Sequence, residues 1–483
     1  MLLSKLTNLP LTGADIEITG LTEDSRKVKP GFLFIATPGI KQDGRAFISD
    51  AIQKGAAAIL MPEGPALPLS VTTIKTPDIR RETSLFSAAF YTRQPGTIAA
   101  VTGTSGKTST AQFARELWQI LGHASASIGT LGLVTKAGTD YGALTTPDAI
   151  TLHHLLDDCS GRGITHVAME ASSHGIEFNR LDGARLKVGA FTNLSRDHLD
   201  YHETMEAYFD AKKGLFSRLL PADAAAVLNA DIPQFDALSD IAKARKLKII
   251  SFGKKGKELR LKETKSNSQG QILNLEVFGK KTEILLPVMG DFQAWNSLCA
   301  AGMVIGSGSD AVATIEALSK VSGVPGRMQF IGTSKKGGEV FVDFAHKPEA
   351  IENVLCAMRN RVAAHPGAKL GIAFGCGGNR DKGKRPIMGD IAQKLADWVI
   401  VTDDNPRFED AAVIRAEILV GCVDKTNVQE AESRHAAILE GINKLNAHDV
   451  LVIAGKGHEP GQTVGDKVFP FDDAEEARKV LGL

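Results

Sequence analysis

Residues Gly103-Thr104-Ser105-Gly106-Lys107-Thr108-Ser109 place two glycines, a lysine and four hydroxyls in one short turn. They follow the apolar run Thr97-Ile98-Ala99-Ala100-Val101. They precede a segment in which Ala111, Ala114, Leu117, Trp118 and Leu121 share one helical face, closed by Gly122. A strand, a glycine turn and a helix N-terminus together present backbone N–H groups and the positive end of a dipole to an anion. All seven residues are candidates to cradle a polyphosphate such as ATP. Lys107 would reach the terminal phosphates and the Thr108 hydroxyl would ligate Mg²⁺. Val101 stands where the strict phosphate-loop pattern has its first glycine, so this is a shortened form.

Two further polar stretches follow strand-like runs. Met169-Glu170-Ala171-Ser172-Ser173-His174-Gly175 follows THVAM, and Thr192-Asn193-Leu194-Ser195-Arg196-Asp197-His198 follows VGAF. Open α/β sheets place their sites at strand carboxyl ends. Glu170 and His198 are thus candidate cation ligands beside the nucleotide, although such a residue read alone is more often structural. Near the end of the chain three loops follow apolar strands: Gly375 to Arg385, Asp403 to Arg407, and Gly455 to Glu459. Their converging charges, Arg380, Arg407, Asp404 and Glu459, complement an amino acid, since guanidiniums hold carboxylates and carboxylates hold ammonium groups.

The elements that must position these groups alternate along the chain. Short β-branched runs (IAAV, THVAM, VGAF, AAVLN, EVFVDF, LGIAF, WVIVT, DVLVIAG) alternate with helical patterns, which predicts an α/β class with mostly parallel sheets. A chain of 483 residues exceeds one core. Boundaries at YTRQPG and SGVPGRMQ divide it into 1–95, 96–326 and 327–483. The segment GKKGKELRLKETKSNSQGQ reads as a solvated hairpin or loop. Fifty-six basic residues balance fifty-six acidic ones, which argues against a nucleic-acid or anionic-membrane partner. There is no signal-type start and no apolar run of about 18 residues, so a cytoplasmic protein is expected. The five scattered cysteines suggest reduced thiols.

Taken together, the GTSGKT loop, MEASSHG, TNLSRDHLDYH and Tyr208-Phe209-Asp210-Ala211-Lys212 resemble the central domain of the Mur ligases. The short phosphate loop also resembles that of the related folylpolyglutamate synthetases. The resemblance implies three domains: an N-terminal UDP-binding α/β domain, a central ATPase with a mostly parallel sheet, and a C-terminal Rossmann-like, doubly wound domain. It implies that Lys212 is carbamylated and ligates Mg²⁺ with Thr108, Glu170 and His198, and that Lys107, Glu170, His198 and Lys212 form the catalytic group. It assigns Thr145, Thr146, Ser172 and Arg180 to the acceptor, Asn296 to adenine, and Arg327 and Asp343 to the nucleotide. Ser25, Lys41 and Gln42 fall to the uridine end.

Asp404-Asn405-Pro406-Arg407 is similar to the signature of the family branch that adds meso-diaminopimelate, the MurE-type ligases. Gly455, Glu459 and Arg380 complete that amino-acid site. The implied reaction is ATP-dependent amide formation between meso-diaminopimelate and UDP-MurNAc-L-Ala-D-Glu, by a monomer. A lysine-adding relative, a dipeptide-adding (MurF-type) relative and an ATP-driven switch without ligation are the alternatives.

Overall fold

The apolar runs become buried strands, and their carboxyl ends become the loops that carry polar residues. In the computed structural model, residues 1–39, 42–64, 69–142, 144–267 and 269–483 are described. The chain divides into two compact units. One comprises Met1–Glu263, Asn274–Ile284 and Trp295–Leu318; the other comprises Thr264–Leu273, Leu285–Ala294 and Ser319–Leu483.

The first unit opens with a five-stranded sheet in the order Leu11–Thr12, Thr72–Thr76, Ala58–Pro62, Phe32–Ile35, Gly20–Thr22. It is parallel except at its Leu11–Thr12 edge. A larger sheet follows, built on the adjacent parallel strands Lys248–Gly253, Ala225–Asn229, Leu186–Phe191, Thr97–Thr102, His166–Glu170 and Ser125–Gly129. Parallel strands covered on both faces need apolar side chains throughout, which is why Thr97–Thr102 is buried at every position. The antiparallel strands Gly132–Thr135 and Gly138–Asp140 extend one edge. Strands Leu259–Asn267 and Gly270–Val277, from the charged stretch, are neighbours toward the other.

The helix after the glycine turn spans Lys107–Ile120. Leu121 is its C-cap, and Gly122 takes a left-handed φ of 87°. Helix Ile79–Phe90 joins the two sheets of this unit. Ser84 Oγ donates to the Asn179 carbonyl at 2.6 Å, and Arg81 reaches Asp182 at 3.4 Å. Arg218 also ion-pairs with Asp182.

The second unit holds a six-stranded sheet in the order Gln329–Thr333, Glu339–Asp343, Val450–Ala454, Leu370–Phe374, Trp398–Val401, Val428–Glu430. Only the Gln329–Thr333 edge is antiparallel. Helices such as Pro348–Val362 and Arg434–Lys444 carry the apolar residues of its two cores. The mostly parallel sheet is what the strand–helix rhythm predicts, and the doubly wound arrangement is what the family resemblance implies. No helix of the described residues is long and apolar enough to cross a membrane.

A fully buried ion pair underlies two loops of this unit. Arg434 donates through Nε and Nη2 to Asp473, each at 2.6 Å, with side chains 1% and 0% exposed. Its remaining donors reach the Ala454 carbonyl at 2.8 Å and the Asp403 carbonyl at 3.2 Å, where the Gly455 and Asp404 loops begin. Removing one partner strands a buried charge. Asp473→Ala is therefore expected to lower stability by about 3–5 kcal/mol, read as a fall in the urea midpoint.

Candidate functional site

In the first unit the glycine turn is shaped by close approach. Gly103 has a φ of 144°, and a Cβ there would lie 1.9 Å from Thr192 Oγ1. Gly106 has a φ of 84°, and its Cβ would lie 2.2 Å from Asn296 Oδ1. Only glycine tolerates both. The Thr192–Ser195 segment braces the turn. The Ser105 N–H donates to Asn193 Oδ1 at 2.9 Å, Thr192 Oγ1 donates to the Ser105 carbonyl at 2.7 Å, and the Ser195 N–H donates to Thr104 Oγ1 at 3.0 Å. Thr108 and Ser109 are buried in the first turn of the helix.

Two lysines converge on one carbonyl. Lys107 Nζ donates to the Gly103 and Thr104 oxygens, both at 2.9 Å, and Lys212 Nζ donates to the same Gly103 oxygen at 2.9 Å. Lys212 is 1% exposed and lies 4.3 Å from the Tyr208 ring centroid. Burial drives the Tyr208 hydroxyl up to about 12, against a hydrogen bond with Thr104 that lowers it.

Glu170, at the end of its strand, is 2% exposed. Its Oε1 accepts from Thr108 Oγ1 at 3.0 Å and from the Thr130 N–H at 2.7 Å; its Oε2 accepts from Thr130 Oγ1 at 3.3 Å. The network runs on through the acceptor candidates. Thr145 Oγ1 lies 3.1 Å from Thr130 Oγ1, and Thr146 Oγ1 donates to the Glu170 carbonyl at 2.8 Å and accepts from the Ser172 N–H at 2.9 Å. Arg180 Nη1 donates to the Thr146 carbonyl at 2.8 Å. His198 holds a left-handed φ of 53° and lies 3.5 Å from Asp197, its ring 6.1 Å from that of Tyr208. Among the described residues no three His, Cys, Asp or Glu side chains gather as a ready-made metal centre.

At the start of the chain Ser25 is buried in a short turn capped by Asp24, its carbonyl accepting from Lys54 Nζ at 3.2 Å. The Gln42 carbonyl accepts from the Gly39 N–H at 3.0 Å. Lys41 lies outside the described residues.

In the second unit the Asp404–Arg407 and Gly455–Glu459 loops are stitched together. Asn405 Nδ2 donates to Glu459 Oε2 at 2.7 Å, while its Oδ1 accepts from Lys456 Nζ at 3.2 Å and from the Thr463 N–H at 2.9 Å. Asp404 Oδ1 accepts from the Asn405 N–H at 2.7 Å, and a Cβ at Gly455 would meet Asp404 Oδ2 at 2.7 Å. Pro406 is buried. Arg407, at a φ of 52°, donates through Nη1 to the Gly378 carbonyl at 2.9 Å. A Cβ at Gly377 would stand 2.7 Å from Arg407 Nη1 and 3.8 Å from Arg380 Cγ, so both arginines border this glycine. Arg380 is exposed. In the same unit Arg327 stacks 4.6 Å over Phe344, with Asp343 close by.

Models of the Mur ligase middle domain, the Mur ligase glutamate ligase domain and the Mur ligase family catalytic domain match residues 101–304, 326–457 and 17–89 respectively. The UDP-N-acetylmuramoyl-L-alanyl-D-glutamate--2,6-diaminopimelate ligase of Mesorhizobium japonicum is 46% identical over 479 residues, covering 98% of this chain and 97% of its own. The chain belongs to the Mur ligase family. The ligase of the same name from Caulobacter vibrioides is 46% identical over 486 residues, 99% of this chain and 98% of its own. A solved 2,6-diaminopimelate ligase superposes with a TM-score of 0.70 at 33% identity, covering 96% and 95% of the two chains. MurF from Acinetobacter baumannii shares the fold, with a TM-score of 0.64 at 17% identity over 94% of each chain.

Several residues to which the sequence assigned no role support the loops of this Mur ligase. Thr130 supplies two of the donors to Glu170. Lys456, fully buried, bridges Asn405 and Glu459, the latter at 3.2 Å. Arg385 clamps Glu409 and Glu417 behind the Gly377 turn, its Nη2 reaching the Gly377 carbonyl at 3.3 Å. Lys456 had a visible signal, since it lies inside the Gly455 loop. Thr130 and the Arg434–Asp473 pair had none.

Asp343 yields a pH prediction. Its carboxyl is 6% exposed and accepts the Met328 and Ala345 N–H groups at 2.7 and 2.8 Å. Burial raises it from 3.8 to about 6, with Arg327 opposing. Between those values the folded chain holds a proton that the unfolded chain has lost, so the contribution of Asp343 to stability falls as pH rises through this window. Relative to Asp343→Asn, the wild type should lose about 2–3 kcal/mol between about pH 4 and about pH 7 in urea titrations. A flat difference would contradict this placement.

Proposed function

We propose that this Mur ligase joins meso-2,6-diaminopimelate to UDP-N-acetylmuramoyl-L-alanyl-D-glutamate, coupled to conversion of ATP to ADP and phosphate, a step in building peptidoglycan precursors. The observation that carries the reading is the end-to-end match, 46% identity over 98% of the chain, to ligases named for that substrate pair. The loops of the second unit support it, because their acids and arginines suit an amino acid with an additional carboxylate. Arg407 would take the distal carboxylate, and Asp404, Glu459 and Arg380 the amino-acid groups.

The chemistry divides into two displacements. An acceptor carboxylate oxygen attacks the γ-phosphorus of ATP, forming an acyl phosphate as the bond to the β–γ bridging oxygen breaks and ADP leaves. The amine of diaminopimelate then attacks the acyl carbon, the C–O bond to phosphate breaks, and a proton is released as the amide forms. Such transfers need positioning and charge neutralisation more than covalent participation. The turn from Gly103 to Ser109 would hold the phosphates with N–H groups and Lys107, and Asn296, packed on Gly106, would face the adenine. Arg327 and Asp343 would complete the nucleotide contacts. Thr145, Thr146, Ser172 and Arg180 would hold the peptide end of the acceptor, and Ser25, Lys41 and Gln42 its uridine end.

The Thr108 hydroxyl and Glu170 carboxylate, 3.0 Å apart, are hard oxygen donors of the kind Mg²⁺ takes, so the residues fit that ion. With His198 and a carbamylated Lys212 they would hold it, and the ion would neutralise phosphate charge. Two ammonium groups on the single Gly103 oxygen repel each other, and conversion of Lys212 to an anionic carbamate removes the repulsion. The domains that carry out these steps would be 1–95, 96–326 and 327–483. The enzyme acts as a cytoplasmic monomer on small molecules, without nucleic acid or membrane.

Phosphate release should require the UDP-linked acceptor together with meso-diaminopimelate, and lysine should not replace it. Release indifferent to both would end the ligase reading. Arg407→Ala should raise KM for diaminopimelate about ten- to a hundredfold while leaving nucleotide affinity unchanged. Labelled bicarbonate should give a carbamate carbon resonance that Lys212→Ala lacks.

A further inference from the structure

Two guanidiniums share one aromatic ring in the first unit. Arg80 Cζ lies 4.2 Å from the Phe178 ring centroid and Arg180 Cζ lies 5.5 Å from it. The ring is held edge-on by His174 and Tyr201, each with its centroid 5.8 Å away. Arg80 and Arg180 are both half-buried, and neither joins an ion pair among the described residues. Among the described residues the Arg180 side chain donates to the Thr146 carbonyl. Arg80 is the second residue of helix Ile79–Phe90, where the dipole disfavours a cation.

The surrounding acids are engaged elsewhere. Glu23 accepts from Thr37 Oγ1 at 2.6 Å, Asp148 caps its own helix through the Thr151 N–H at 2.9 Å, and Asp182 takes Arg81 and Arg218. Burial lowers the Arg180 pKa, and the charge of Arg80 lowers it further against Asp148 and Glu23. Like charges on one ring, one of them at a helix N-terminus, are stabilised by an anion bound within their reach.

We propose that Arg80, stacked with Arg180 on Phe178, binds an anionic oxygen group of the UDP-linked acceptor and sets the affinity for it. That group is a phosphate of the diphosphate or the carboxylate that is not activated. The assignment rests on the ligase reading above and adds to it a residue from the helix that joins the two sheets. Arg180 is one carbonyl away from Thr146, which binds the Glu170 backbone, so an anion held here is tied to the loop that carries the candidate cation ligand.

The test measures phosphate release at saturating ATP and meso-diaminopimelate with the acceptor varied. Arg80→Gln should raise KM for the acceptor about ten- to a hundredfold, leaving kcat and KM for ATP and diaminopimelate unchanged. Arg80→Lys should fall between, because it keeps the charge without the planar fork. Inhibition by UDP separates the two sources. If UDP weakens in step with the acceptor, the group is the diphosphate; if UDP inhibits Arg80→Gln as it does wild type, the group is the carboxylate. Phe178→Leu removes the platform and keeps both charges, so it should also raise acceptor KM, with Phe178→Tyr restoring it. This pair decides the matter if Arg80→Gln proves unstable. An unchanged acceptor KM, or an equal loss against all three substrates, in an otherwise active enzyme would overturn the role of Arg80. A wild type whose phosphate release ignores the acceptor would instead overturn the ligase reading.

Discussion

A carboxylate buried in protein must be given donors, and Glu170 is where that requirement organises the first unit. Left without partners it would cost several kcal/mol. The donors come from two other segments: the Thr108 hydroxyl at the start of the helix after the glycine turn, and the backbone and side chain of Thr130. Close approach then dictates glycine at position 129, where a Cβ would lie 2.2 Å from Glu170 Oε1. The main chain of the same residue organises the other side, since its carbonyl fixes Thr146 and Thr146 fixes Ser172 and Arg180. One acid thereby holds the phosphate turn and the proposed acceptor loop in a single register.

The second unit solves a comparable problem with opposite charge. Lys456 is fully buried and Asn405 faces it, so the lysine's donors go to Asn405 Oδ1, Glu459 and the Gly461 carbonyl. Beneath them Arg434 spends its donors on Asp473 and on two backbone oxygens at the bases of the same loops. A buried pair of this kind adds little net stability over an apolar substitute, but its geometry is directional. What it supplies here is position: Asp404 and Gly455 start from fixed points, and Arg407 is held in a left-handed conformation that an unbraced arginine would rarely adopt.

How much of this was legible follows from the physics of each feature. Parallel strands buried on both faces must be apolar throughout, so Val450–Ala454 and Thr97–Thr102 announce themselves, and with them the carboxyl ends where the polar loops begin. Glycines crowded by neighbours, such as Gly103 and Gly106, appear as a motif because no other residue serves. Thr130 carries no such mark, because any hydroxyl residue in a turn looks alike until the partner carboxylate is placed. Arg434 and Asp473 are thirty-nine residues apart, and each reads as an ordinary helix-end charge; only the tertiary fold reveals that both are buried. The roles proposed for Thr145 and Thr146 rest on resemblance rather than on any property of two consecutive threonines.

Charge shows the same difference of scale. Over the whole chain basic and acidic residues cancel, which argues against a polyanionic partner but says nothing about where each charge sits. The structure separates two kinds of arginine. Arg218, Arg361, Arg385, Arg415 and Arg434 meet carboxylates and serve the scaffold. Arg80, Arg180 and Arg407 are half-buried yet form no ion pair among the described residues, and rest on a ring or a backbone carbonyl instead. Partial burial without an acid is an unfavourable place for a guanidinium, and a bound anion would relieve it. Zero net charge therefore does not preclude selectivity for small anions, because it averages over arginines that are paired with acids and arginines that, among the described residues, form no ion pair.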